Sequence, residues 1–144
     1  AHSYLGETPR NSVLFGPPGY TYIHHIHRYF CMDIVTEGKG IPTSVLIRAL
    51  EPMYGIETMR HLRNIEDVRN LTNGPGKLCR ALNITRELNG INIANPQSPL
   101  TIYYPPHKEE PVDVLKSVRI GISKAKDLEL RFRIKNNQYV SGGK

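Results

Sequence analysis

"YTYIHHIHRYFCMD" (residues 20–33) decides how this chain folds, because two alternating runs meet there across a gap short enough for a tight turn. Over residues 20–25, Tyr20, Tyr22 and His24 fall on one side of an extended backbone and Thr21, Ile23 and His25 on the other. In "YFCMDIV" (29–35), Phe30, Met32 and Ile34 share one side and Tyr29, Cys31 and Asp33 the opposite one. A period of two is the repeat of a strand. The linking "IHR" makes the pair an antiparallel hairpin with His27 near its tip.

Working outward, "EGKGIP" (37–42) supplies a turn, and "TSVLIRAL" (43–50) reads as a third strand on which Leu46, Arg48 and Leu50 share a face. "GIETMRHLR" (55–63) has helical spacing, and "NGPGKLCRALNI" (73–84) reads as a loop feeding a short helix. "PLTIYYP" (99–105), "SVRIGIS" (117–123) and "LELRFRIK" (128–135) are expected as later strands, while residues 1–19 form an irregular lead-in and "SGGK" a frayed tail. Strands in a meander with helices outside them make an α+β arrangement.

At 144 residues the chain fits one domain with a real core. No apolar run approaches the roughly 20 residues of a membrane span, and "AHSYLGETPR" lacks the apolar centre of a secretory signal. Cys31 and Cys79 stand in no metal-ligand spacing and suit two reduced thiols in an intracellular protein. Nineteen Lys and Arg against thirteen Asp and Glu leave a net charge of +6 and a pI near 9.4. That excess favours a polyanionic partner through counterion release, with nucleic acid the first candidate.

The crowd of rings in residues 20–33 admits three readings. His25 and His27 with Cys31 could hold a metal, but His24 points to the other face and no carboxylate stands at ligand spacing beside them. The histidines could be ordinary half-buried strand residues. The third reading is a nucleic-acid surface, in which flat rings hold an extruded base and a residue at the hairpin tip enters the gap it leaves. Arg28, beside the tip, would then meet the phosphates. Only this reading uses hairpin, rings and charge together.

"AHS" (1–3), "ETPRN" (7–11), "FGPPG" (15–19), "YFCMD" (29–33), "VLIRALEP" (45–52), "NGPGKLCRALNI" (73–84) and "RIGI" (119–122) stand in the order found in 3-methyladenine (alkyladenine) DNA glycosylases, which the chain resembles over nearly its whole length. The resemblance implies a single mixed domain over 1–144, with a curved, largely antiparallel sheet, flanking helices and a protruding, DNA-inserting hairpin. It implies excision of alkylated or deaminated purines, 3-methyladenine and hypoxanthine among them, from double-stranded DNA in base excision repair. No cofactor or metal is implied, a monomer would suffice, and the setting would be intracellular and DNA-associated, in cytoplasm and nucleoid or in a nucleus. By the same resemblance His27 wedges into the minor groove and His24 stacks on the flipped base, with Tyr22 the alternative under a shifted register. Asp33 stands at the pocket floor where the family usually has asparagine. Arg48 and the carbonyl of Ile120 hold the attacking water, and the backbone amide of His2 reads the purine. Thr8, Arg10 and Lys77 sit in blocks that resemble phosphate-contacting segments.

The family's general base is a glutamate in a Glu-x-Tyr pair ahead of the Ala-His-Ser with which this sequence begins, so the chain is expected to lack the family's N-terminal segment. The competing class is therefore a catalytically silent module that binds damaged DNA. Arg48 cannot serve as base, because guanidinium stays protonated. Asp33, the one carboxylate of the hairpin, could substitute in part or favour cationic leaving bases, but pairing with Arg48 on the neighbouring strand is the stronger expectation. "NGPGK" lacks the glycine spacing and hydroxyl of a P-loop, which sets nucleoside triphosphatases aside.

Overall fold

In a computed structural model, which describes residues 3–104, 111–121 and 127–141, the alternating runs form the hairpin that their period demands. β1 (Thr21–Ile26) and β2 (Tyr29–Val35) pair antiparallel, with Ile26 opposite Tyr29 and a turn made of His27 and Arg28. His27 takes a positive φ of 54°, a region where histidine is over-represented among residues with a side chain. β3 (Ser44–Leu46) adds to the other edge of β2 with Asp33 opposite Leu46, giving the order β1-β2-β3.

The two faces of this sheet are buried by different partners. On one, Ile23 and Met32 pack against Leu78 and Cys79 of α2 (Pro75–Ala81) and against Ile84, with Phe30 and Ile47 at the margin. Pro75 suits the first turn of α2, where its missing N–H removes no helical bond. α1 (Ile56–Arg63) then packs onto α2 through Met59, Leu71 and Ala81. On the opposite face Tyr22 and Val35 close over Leu14, which belongs to a 3-10 turn at Ser12–Phe15 within the lead-in. β4 (Val114–Ser117) and β5 (Arg131–Ile134) form a separate two-stranded antiparallel sheet. The architecture is α+β, and every strand pair among the described residues is antiparallel. No described helix is long and apolar enough to cross a membrane.

Several expected elements are shorter or displaced. The third strand ends at Leu46 rather than Leu50, because Leu50 turns away to exchange hydrogen bonds with Thr72, whose hydroxyl donates to the Leu50 carbonyl at 2.6 Å. Residues 99–104 carry no strand, and 105 lies outside the described residues. The strand expected at 117–123 lies earlier, at Val114–Ser117; residues 118–121 leave the ladder, Gly121 at a φ of 76°, and 122–123 are outside the description. That fourth strand is set by its register with β5, where Ser117 opposes Arg131.

Two packing details make predictions. A Cβ built on Gly76 would stand 2.7 Å from the Cβ of Tyr29, so α2 and the tip-proximal end of β2 touch through a position that tolerates only glycine. Gly76→Ala must push helix and hairpin apart, at a cost of about 1–3 kcal/mol, readable as a lower urea midpoint with unchanged slope. Cys79 is almost fully buried, and burial pushes its thiol up to about 12. Its folded-state value lies above that of an unfolded thiol, so the native state holds the proton longer and stability falls as pH rises from about 9 towards 12. At neutral pH a thiol reagent should label Cys79 only at the rate of unfolding; rapid labelling of native protein would contradict the packing.

Candidate nucleic-acid interface

The face of the sheet that carries Tyr22 and His24 also carries Cys31, Asp33, Ser44 and Leu46, because residues directly opposite across a ladder point the same way. There the rings of Tyr22 and His24 stack with centroids 5.2 Å apart and planes at 25°. Nε2 of His24 meets Oδ2 of Asp33 at 2.8 Å, and the Ser44 hydroxyl donates to Oδ1 of Asp33 at 3.0 Å. One carboxylate thus ties together all three strands of the sheet. Burial raises the Tyr22 phenol, against a lowering by the charge of Arg10 and a smaller raising by Asp33, so Arg10 of the lead-in acts on this same cluster. Tyr22 and His24 are buried, while the Asp33 side chain keeps 14% of its surface exposed and is the part of the cluster nearest solvent.

The expected Asp33–Arg48 pair does not form: the two carboxylate oxygens of Asp33 are engaged by His24 and by Ser44. Continuing the β2–β3 ladder through the bond from the Ile47 N–H to the Met32 carbonyl places Arg48 opposite Cys31. Ser44 and Arg48 are then the two diagonal neighbours of Asp33, and its carboxylate accepts from Ser44. The charge of Arg48 is felt instead at Cys31, where it opposes the raising effects of burial and of Asp33, and at Arg131. Arg48 is half-buried and enters no hydrogen bond or ion pair among the described residues.

The remaining candidates are spread out. His27 and Arg28 form the exposed tip, while the rings of His25 and Phe30 stand nearly perpendicular with centroids 4.1 Å apart. Thr8 donates through its N–H and hydroxyl to Asn11, at 2.6 and 2.9 Å, in an exposed turn of the lead-in that also carries Arg10. Lys77 lies on α2 with its ammonium 2.6 Å from the Asn73 side-chain oxygen. Ile120 is exposed beyond the end of β4, and His2 lies outside the described residues. No group of three or more His, Cys, Asp or Glu side chains comes within metal-holding reach among the described residues.

Two participants escaped the sequence reading. Ser44 is found only once the β2–β3 register is known. Arg131 is buried, donates to Ser117 and to the Ser141 carbonyl at 3.3 and 2.6 Å, and has its own pKa lowered by burial first and then by Arg133 and Arg48. No local sequence signal links it to Arg48.

Two concavities also mark the surface. One, of about 460 Å³, lies beside the hairpin tip, between Arg28–Phe30 and α2. The other, of about 190 Å³, is apolar and lined by residues such as Met32, Ile47 and Leu100. Neither wall includes Asp33 or Arg48.

Residues 1–138 match the family described as "Methylpurine-DNA glycosylase". Proteins named "Putative 3-methyladenine DNA glycosylase" are similar along nearly the whole chain. That of Methanoculleus marisnigri is 43% identical over 98% of this chain and 74% of its own length. Those of Rhodopseudomonas palustris and Bradyrhizobium diazoefficiens are 44% and 42% identical, each over 98% of this chain and 68% of the relative.

Proposed function

The chain belongs to the methylpurine-DNA glycosylase family, and we propose that it draws alkylated or deaminated purines, 3-methyladenine and hypoxanthine among them, out of duplex DNA and releases them by hydrolysis. Membership makes it a DNA glycosylase, a hydrolase acting in DNA repair. In the reaction the C1′–N bond to the purine breaks, a water oxygen bonds to C1′, and the products are free base and an abasic sugar. The sugar passes through oxocarbenium character, so aligning the water and taking its proton is worth typically about 10²–10⁴-fold.

The observation that carries this reading is the joining, in one hairpin, of an exposed His27–Arg28 tip to the Tyr22–His24–Asp33 cluster at its base. The tip is the wedge. Asp33, the part of the cluster nearest solvent, supplies negative charge that favours a positively charged purine over a neutral one, while the buried Tyr22 and His24 rings back it from within. Arg48, uncommitted among the described residues, orients the water or a carboxylate beside it, with the Ile120 carbonyl as a further acceptor. Arg10, Thr8, Arg28 and Lys77 meet phosphates, and His2 reads the purine edge. A single protein molecule acts alone, wherever in the cell the DNA lies.

Asp33 is already engaged by His24 and Ser44, which favours a stabilising role over that of general base. The same engagement supports the alternative that this stretch of chain binds damaged DNA without cutting it. Incubation with labelled duplexes carrying one hypoxanthine or one 3-methyladenine separates the two. Abasic product under single-turnover conditions supports the glycosylase, and lesion-dependent binding without product supports the silent module.

A further inference from the structure

We propose that the recess beside the hairpin tip is a second DNA site, which holds the sugar-phosphate of the strand opposite the lesion. This rests on the reading of the hairpin as a wedge in duplex DNA. The recess encloses about 460 Å³, and Phe30, Leu62, Cys79 and Ile84 contribute its apolar part. Among the described residues its cations are Arg28 and Arg80, its neutral polar groups include Asn83 and Thr85, and no carboxylate enters its wall. Nε of Arg80 donates to the Leu62 carbonyl at 2.8 Å, which fixes the side chain and leaves its terminal nitrogens uncommitted among the described residues. The buried Arg63 lies close enough for the charge of Arg80 to lower its pKa, adding to the positive field on this side.

Such a site, cationic and apolar together, suits a nucleotide, whose phosphate seeks guanidinium and whose sugar and base seek cover. The strand is assigned by where the wedge divides the duplex. The recess shares no lining residue with the Tyr22–His24–Asp33 cluster, yet Arg28 belongs both to the tip and to the recess wall. With the lesion nucleotide drawn to the cluster, the α2 side of the tip is left facing the undamaged strand.

The test is fluorescence anisotropy with a labelled duplex carrying one hypoxanthine and with the same lesion strand alone, over a range of salt. Arg80→Gln is expected to weaken duplex binding by roughly tenfold and to lower the salt slope by about one, with lesion-strand binding unchanged and Arg80→Lys recovering most of the loss. Asn83→Gly keeps a backbone already at a φ of 52° and removes only the side chain, so it serves if Arg80→Gln folds poorly; it should weaken duplex binding by about twofold to threefold, again with the single strand unaffected. Equal losses on duplex and single strand would overturn the proposal by giving the recess to the lesion strand, and unchanged binding to both would overturn it by leaving the recess empty. If the wild-type protein binds the duplex but never releases the base, the glycosylase reading fails while this one is still decided by the Arg80 and Asn83 variants.

Discussion

Replacing Asp33 by alanine should destabilise the protein by about 2–4 kcal/mol, the largest single effect expected on the fold. The carboxylate accepts from β3 through Ser44 and meets β1 through His24 while itself sitting on β2, so its removal strips polar contacts from both edges of a three-stranded sheet. His24 is buried, and a buried polar group that loses its partner pays most of its desolvation without return. In a chain of this length the melting temperature should fall by roughly 10 °C, and the urea midpoint should fall with it. Asp33→Asn makes the opposite case. Its oxygen can still accept from Ser44 and its amide can donate to Nε2 of a neutral His24, so most of the stability should remain, with a loss under about 1.5 kcal/mol. What asparagine removes is the negative charge. Excision of cationic 3-methyladenine should therefore drop relative to neutral hypoxanthine; an unchanged ratio would show that Asp33 supports the sheet and does not select the base.

The expected pairing of Asp33 with Arg48, which the structure replaces by His24 and Ser44, shows what a single chain discloses. Alternation is a property of consecutive residues, so residues 20–35 announce the hairpin, its His27 tip and the sides on which each run's residues fall, whereas the shared face of Tyr22, His24 and Asp33 comes from the register between the strands. Likewise "GIETMRHLR" announced α1, since helical spacing and a flanking glycine are both local. Pairing between β2 and β3 is not local. It depends on where a seven-residue strand meets a three-residue one, and nothing within "TSVLIRAL" says that the ladder stops at Leu46. Even in the observed register Ser44 and Arg48 stand on the two diagonals from Asp33, so alternation alone does not choose between them, and the hydrogen bond from Ser44 does. The same limit hid β4, whose bounds are fixed by β5 some fourteen residues on, and Arg131, which approaches Arg48 only through tertiary structure.

Arg48→Ala should separate activity from stability more sharply than any other substitution. A half-buried guanidinium with no hydrogen-bond or ion-pair partner among the described residues contributes little to the fold beyond the packing of its methylene stem. Its charge also presses on Arg131, whose pKa it helps to lower, so deleting it relieves a repulsion while losing that packing. The net change in unfolding free energy should lie within about 1 kcal/mol of zero. Excision is a different matter. If the guanidinium aligns the attacking water or the carboxylate that deprotonates it, losing that alignment should slow single-turnover base release by roughly 10²-fold, with duplex affinity little changed. Lysine at the same position restores the charge but not the planar fork, and should recover only part of the rate. Loss of rate in proportion to loss of stability would make Arg48 a structural residue. Loss of affinity with an intact rate would place its guanidinium on a phosphate. Only an intact fold and intact binding with a slowed bond cleavage put it beside the water, and that combination can be read from one melting curve, one titration and one time course.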